Sequence, residues 1–182
     1  MKQLVADLLK PVAEFDHARM VWIRAHRSPS LNRFFIFLTH SGDGKWWLIV
    51  AVTLAILNAA HYQIIPMQAV FLRAMLCALG AWAIGTAAKK VFKRSRPWKR
   101  IEGYSPVIDS TSCNSFPSTH SAASIAFFTA LLNAHHPYSW AVGLWAVVVS
   151  FSRYYLGVHF PSDLLGGTVL GVVCGYLISG LF

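Results

Sequence analysis

The sequence predicts an all-α fold: a multi-pass transmembrane helical bundle of five or six membrane helices, built as one domain over residues 1–182. Three observations carry this expectation. Hydrophobic residues make up 55% of the chain, with only 7 acidic side chains, and its mean hydropathy is +0.49, a composition suited to hydrocarbon as the main solvent. The apolar residues fall into runs of spanning or near-spanning length separated by short polar breaks. No Ser/Gly-rich linker, low-complexity tract or internal repeat marks a second domain.

Residues 5–26 have helical periodicity but include Lys10, Glu14, Asp16, Arg19 and Arg24. That charge load leaves two readings, an interfacial helix or a sixth membrane helix. Lys2, Asp7, Lys10, Pro11 and Glu14 also interrupt any apolar leader, so no removable signal peptide is expected. Residues 33–38 form a short apolar segment at the membrane edge, ending in the turn Ser41-Gly42-Asp43-Gly44. Runs 46–60 and 69–88 read as an antiparallel helix pair joined by a turn over 61–68 that contains Pro66. Three further runs cover 121–132, 138–151 and 164–182, with breaks at 133–137 and 153–163. Gly167, Gly171 and Gly175 recur at four-residue spacing, a stripe that lets helix backbones approach closely in lipid.

Alternating these helices through a bilayer puts residues 41–45, 89–117 and 153–163 on one side. The other side receives 61–68, 133–137 and the C-terminus. Nearly all loop polarity falls on the first side, so chemistry is expected there. The net charge of +9 comes from basic residues concentrated at 24–45 and 89–100, which flank apolar runs and form no exposed stripe. They suit a membrane surface or an anionic substrate, and nucleic acid is not expected as a partner. Cys77 and Cys174 lie in apolar runs and Cys113 in a polar loop, an odd set that implies no disulfide framework.

Three groups of residues on the polar side could carry chemistry. Lys89 and Arg96 are two helical turns apart and would share a face if the helix continues to Pro97. Taken alone, they read better as a basic anchor together with Lys90, Lys93, Arg94, Lys99 and Arg100. Ser118, Thr119 and His120 directly precede an apolar run, where they form either an ordinary helix cap or an anion site at a helix N-terminus. Arg153, His159 and Asp163 meet at a helix junction. Asp163 follows His159 by four residues, close enough on a helical turn to fix the imidazole tautomer. A buried Arg153–Asp163 pair of purely structural value is the competing reading.

Taken together, Lys89-x6-Arg96-Pro97, Pro117-Ser118-Thr119-His120 and Ser152-Arg153-x5-His159-x3-Asp163 resemble the three-part signature of the type 2 phosphatidic acid phosphatase superfamily. This superfamily comprises membrane lipid phosphatases, glucose-6-phosphatase, soluble acid phosphatases and vanadium haloperoxidases. The resemblance implies that Lys89, Arg96 and Arg153 bind phosphate, helped by Ser118 and the Thr119 N–H. It implies attack by His159 to give a phosphohistidine, orientation of His159 by Asp163, and proton donation to the leaving oxygen by His120. One position departs from the family pattern: Thr119 stands where the motif usually has glycine. A backbone conformation open mainly to glycine there would displace the amide that faces phosphate.

No metal or cofactor is expected, since no acidic cluster lies near the motifs. His17, His26, His40, His61, His135 and His136 show no ligand spacing. His40, Asp43 and Lys45 read as a polar helix flank on the active side. A cationic pocket at the end of an apolar bundle favours a membrane lipid phosphate over a soluble ester. Undecaprenyl pyrophosphate has an edge from the resemblance, and phosphatidylglycerophosphate, phosphatidic acid and lipid A phosphate stay open. A lipid phosphotransferase with the same histidine chemistry and a non-catalytic anionic-lipid binding or transport protein are the rival functions. The resemblance implies a bacterial inner membrane protein with its site near the periplasmic face, whereas the basic residues beside the motifs favour the cytoplasm.

Overall fold

The computed structural model describes residues 2–59, 65–110 and 112–181, in which the regular elements are all helices, with no strand. Met1, Ala60, Thr111, Phe182 and residues 61–64 of the turn expected over 61–68, including His61, lie outside the described residues, while 65–68 with Pro66 are helical. The N-terminal segment forms one helix, α1 (Lys2–Ala25), with Pro11 inside it. Its Met20 and Ile23 are buried against Tyr154, Tyr155, Leu156 and Phe160, while Leu8, Leu9 and Phe15 face outward. Helix α2 (Pro29–Ser41) follows, started by Ser28, whose hydroxyl accepts from Leu31 N at 3.3 Å, with Pro29 in the first turn. It is longer than the short apolar segment expected at 33–38.

The apolar pair appears as α3 (Gly44–Ala59) and α4 (Ile65–Phe92). After them come the short α5 (Pro97–Arg100), then α6 (Thr119–Asn133), α7 (Ser139–Tyr155) and α8 (Pro161–Ser179). Two expectations are corrected. Helix α4 ends at Phe92, where Lys93 takes a left-handed φ of 48°, so Lys89 and Arg96 do not share a helix face. Helix α7 continues to Tyr155 and α8 begins at Pro161, so the break is shorter than 153–163 and Arg153 is helical.

Helix α6 is the centre of the bundle, packed against α4, α7 and α8. Its small residues Ala122, Ala126 and Ala130 are buried. The glycine stripe of α8 faces them: a Cβ on Gly171 would lie 2.6 Å from the carbonyl oxygen of Ala122, and one on Gly175 would lie 2.7 Å from that of Ala126. At Gly167 the obstruction would be the carbonyl of Ser118. The stripe therefore sets the α6–α8 distance, and because the neighbour is backbone, no rotamer change could make room.

At 1.5 Å per residue, the 28 residues of α4 extend about 42 Å, whereas the 15 residues of α6 extend about 22 Å. Ala69–Phe92 and Pro161–Ser179 are the two helical stretches among the described residues that are long and apolar enough to cross a bilayer by themselves. The outer surface is nevertheless apolar well beyond those two. Leu72, Leu76 and Leu79 on α4, Trp140, Leu144 and Val147 on α7, and Leu165, Val169 and Val173 on α8 are all exposed. So large an apolar exterior requires hydrocarbon or another apolar cover.

Candidate active site

Five segments meet at one end of the bundle: the turn before α3, the end of α4 with its following loop, the start of α6, the end of α7, and the α7–α8 loop. Lys89, in the last turn of α4, is buried. Its Nζ donates to Asn114 O at 3.2 Å, and Asn114 Nδ2 returns a bond to Lys89 O at 3.0 Å. The loop is pinned by a bridge between Ser95 and Asn114 and by Ser115 N donating to Arg94 O at 2.8 Å. Arg96 is thereby aimed inward from the start of α5 instead of from α4. Arg96 is 2% exposed, and its guanidinium donates to Val158 O at 2.6 Å and Ser112 O at 3.2 Å.

Arg96 Nη1 also lies 2.9 Å from His159 Nε2. A guanidinium can only donate, so Nε2 must be the accepting nitrogen and any proton on a neutral ring is on Nδ1. That nitrogen faces Asp163 Oδ2 at 3.4 Å. Burial holds the His159 imidazole well below the ordinary histidine range, reinforced by the positive charges of Arg96, Lys89 and Arg153. His159 is therefore a neutral imidazole whose Nε2 lone pair points into a cationic site, the form a nucleophile needs. The two residues do not share a helical turn as the spacing suggested: His159 is in the loop, and Asp163 is in the first turn of α8.

Asp163 is fully buried and heavily bonded. Its Oδ2 accepts from Phe160 N at 2.9 Å, and its Oδ1 accepts from Arg94 Nη1 at 2.6 Å. The pairing with Arg153 weighed from the sequence is not formed. Arg153 instead donates from Nη1 to Thr39 Oγ1 at 2.7 Å, and its Nε is buried without an acceptor among the described residues. A buried guanidinium with an unused donor suits an arriving oxyanion.

Ser118 is the N-cap of α6. Its oxygen accepts from Ser121 N at 3.4 Å and Ser121 Oγ at 3.1 Å, leaving its own hydroxyl proton free to donate. Ser118 N is tied to Asp163 O at 3.0 Å, which joins the start of α6 to the start of α8. Thr119 opens α6, where the first backbone N–H groups have no partner within the helix. His120 follows and contacts Asp43 Oδ1 through Nε2 at 3.1 Å. Among the described residues, no three His, Cys, Asp or Glu side chains gather as metal ligands.

Residues 69–182, which contain all of these motif positions, match the PAP2 superfamily. The chain belongs to this superfamily. It is similar to phosphatidylglycerophosphatase B of Bacillus subtilis, 31% identical over 166 residues that cover 85% of this chain and 76% of that protein. It is also similar to undecaprenyl-diphosphatase BcrC of Bacillus subtilis, 24% identical over 153 residues covering 84% and 76%. Among solved structures, the transmembrane PAP2 type phosphatidylglycerolphosphate phosphatase from Bacillus subtilis superposes with a TM-score of 0.77 at 26% identity, covering 98% of this chain and 90% of that one. The protein is accordingly a membrane phosphatase, a hydrolase acting on phosphoric esters.

Within the PAP2 frame, the threonine in place of glycine is accommodated locally. Thr119 is not among the residues with positive φ, so its backbone does not need glycine's freedom. Its side chain is admitted by a glycine on the facing helix: a Cβ on Gly85 would lie 3.2 Å from Thr119 Cγ2.

Three residues of the site fall outside the sequence motifs. Arg94 was counted with the anchoring lysines, yet it bridges Asp163 and Asp16, the latter at 2.5 Å from Nη2. Asp16 was one of the charges that made α1 ambiguous, yet it is 1% exposed and also accepts from Ser162 N at 3.1 Å and from Ser162 Oγ. Asp43 was read as a polar flank and touches His120. Arg94 is only two residues from Arg96, but nothing local distinguishes it from Lys90 or Lys93. An aspartate among the apolar residues of an amphipathic helix needs a partner wherever it is buried, and that rule is the one available signal for Asp16.

Proposed function

We propose that this PAP2 protein is an integral membrane lipid phosphatase that hydrolyses a lipid phosphate or pyrophosphate through a phosphohistidine at His159. The observation that carries the reading is the neutral, buried His159, whose Nε2 accepts from Arg96 at 2.9 Å while Asp163 lies behind Nδ1. An arriving phosphate takes over the Arg96 donor and places phosphorus against the freed Nε2. Lys89, Arg96, Arg153, the Ser118 hydroxyl and the Thr119 N–H surround the three equatorial oxygens. The P–N bond forms as the bond to the leaving oxygen breaks, His120 supplies the proton to that oxygen, and Asp163 stabilises the imidazolium character of the phosphorylated ring. Water then attacks phosphorus, gives its proton to His120 and restores His159. No step uses a metal ion.

The apolar exterior supports a substrate whose chains stay in hydrocarbon while its headgroup enters the cationic end. Undecaprenyl pyrophosphate is the favoured substrate, and the names of the two Bacillus subtilis relatives support it and phosphatidylglycerophosphate alike. Phosphatidic acid and lipid A phosphate are the further members of a test panel. Phosphate release from these lipids is expected with chelator present, at a rate unchanged by the chelator; loss of release on chelation would overturn the metal-free scheme. Release that depends on an added acceptor would indicate a phosphotransferase.

We further propose five membrane helices, α3, α4, α6, α7 and α8, with α1 and α2 packed at their active end, in a bacterial inner membrane with the site towards the periplasm. Cys113 is exposed on the active-site loop. In intact cells an impermeant thiol reagent is expected to label it. Labelling only after lysis would place the site in the cytoplasm.

A further inference from the structure

A general acid in this site faces an electrostatic problem. His120 must carry a positive charge to donate a proton, yet Lys89 from α4 and Arg153 from α7 act on it with like charge, and His159 lies beside it from the α7–α8 loop. Desolvation in the pocket, and beyond it the two nearby cations, would strip the proton from an unsupported imidazolium. An anion close to His120 opposes that loss, and the arriving phosphate adds its own negative charge to the same side.

Asp43 occupies that position. It lies in the turn between α2 and α3, outside residues 69–182 that match the PAP2 superfamily. Its Oδ1 is 3.1 Å from His120 Nε2, and its Oδ2 is 2.8 Å from Nδ1 of His40 on α2. The turn reaches the histidine because Gly42 carries no side chain: a Cβ there would lie 2.9 Å from Val149 Cγ1 and 3.4 Å from His120 Cδ2. The Asp43 side chain is 28% exposed and that of His120 is 22% exposed, whereas His40 is 51% exposed. The carboxylate therefore connects the pocket histidine to one in contact with water.

We propose that Asp43 is a positioning residue for the proton donor, forming with His120 a second aspartate–histidine pair that serves the leaving group as Asp163 and His159 serve the nucleophile. This inference rests on the phosphohistidine reading above. A carboxylate can only accept, so His120 Nε2 is its protonated nitrogen, which leaves Nδ1 to face the leaving oxygen. The hydrogen bond from His120 holds the Asp43 carboxyl down to about 2, so it is anionic at neutral pH. His40 on the other oxygen orients the carboxylate. After proton donation, Asp43 favours return of the proton to His120 by stabilising its cationic form.

A merely structural Asp43 and a proton-positioning Asp43 differ in how they depend on the leaving group. Nitrophenolate is a stable anion that departs with little need of a proton, whereas an alkoxide cannot depart without one. The test compares dioctanoyl phosphatidic acid with para-nitrophenyl phosphate, using wild type, Asp43→Asn and His159→Ala in detergent. Asp43→Asn keeps the shape and an accepting oxygen but loses the charge. It is expected to lower kcat on the alkyl phosphate by about 10- to 100-fold with KM little changed, and the loss on the nitrophenyl ester is expected to be at least about tenfold smaller. The alkaline limb of its kcat profile moves to lower pH, because the charge that retained the His120 proton is gone. Asp43→Glu restores the charge in a shifted position and shows the same leaving-group signature at smaller amplitude, which also serves if Asp43→Asn does not fold. Equal losses on both esters, or an alkaline limb that does not move, would overturn the proposal. His159→Ala separates the two layers: if it stays active, the phosphohistidine reading fails. If it is inactive while Asp43→Asn behaves as wild type, only the role of Asp43 fails.

Discussion

His159→Ala is expected to lose phosphate release on every ester the protein accepts, by about 10⁴-fold or more. The size follows from the loss of the nucleophile itself, since alanine offers no atom to hold phosphorus and water must attack directly within the cationic pocket. Misfolding is not expected to account for the loss. Arg96 retains Val158 O at 2.6 Å and Ser112 O at 3.2 Å, and Asp163 retains Arg94 at 2.6 Å and Phe160 N at 2.9 Å. The variant should therefore elute and melt in detergent as a folded protein. Release within tenfold of wild type from such a preparation would remove His159 from the role.

Asp163→Asn has the next largest expected effect, a fall in kcat of about 10³- to 10⁴-fold. An amide at this position can present N–H to His159 Nδ1, which drives the ring proton to Nε2, the nitrogen that must attack. It also removes the charge that offsets the imidazolium formed on phosphorylation. Substituting a buried, paired carboxylate usually destabilises strongly, but here Arg94 keeps the Asp16 carboxylate at 2.5 Å. The cation is not stranded, and the cost is confined to the cap on Phe160 N, which meets an N–H when the amide nitrogen takes the Oδ2 place facing His159. Thermal unfolding measured beside kcat tests this: a folded, slow enzyme is expected, and a folded enzyme with ordinary turnover would contradict the account.

The motifs were legible in the sequence because each is a short contiguous run whose residues act near their own helix end. Ser118 caps α6 through its own neighbours, and the Gly167, Gly171 and Gly175 stripe shows its periodicity directly. The position of Arg96 was not legible. The sequence leaves open whether the helix continues past the apolar run to Pro97, and the turn at Lys93 is held by contacts of Arg94 and Ser95 with Ser115 and Asn114 some twenty residues away. The partners of the proposed catalytic groups are hidden for the same reason. Asp16 reaches Arg94 across 78 positions and Asp43 reaches His120 across 77, and no local pattern encodes either distance. Both lie before residue 69, outside the superfamily match, so α1 and the α2–α3 turn complete a site whose motifs occur later in the chain.

The role of His159 can be observed directly by rapid quench of the protein with a lipid substrate carrying labelled phosphorus, followed by digestion under alkaline conditions. The account predicts label on the peptide containing His159, stable to base and lost in acid, formed faster than phosphate is released and absent from His159→Ala. Full single-turnover phosphate release with no labelled peptide at any time, or label on a different residue, would contradict it.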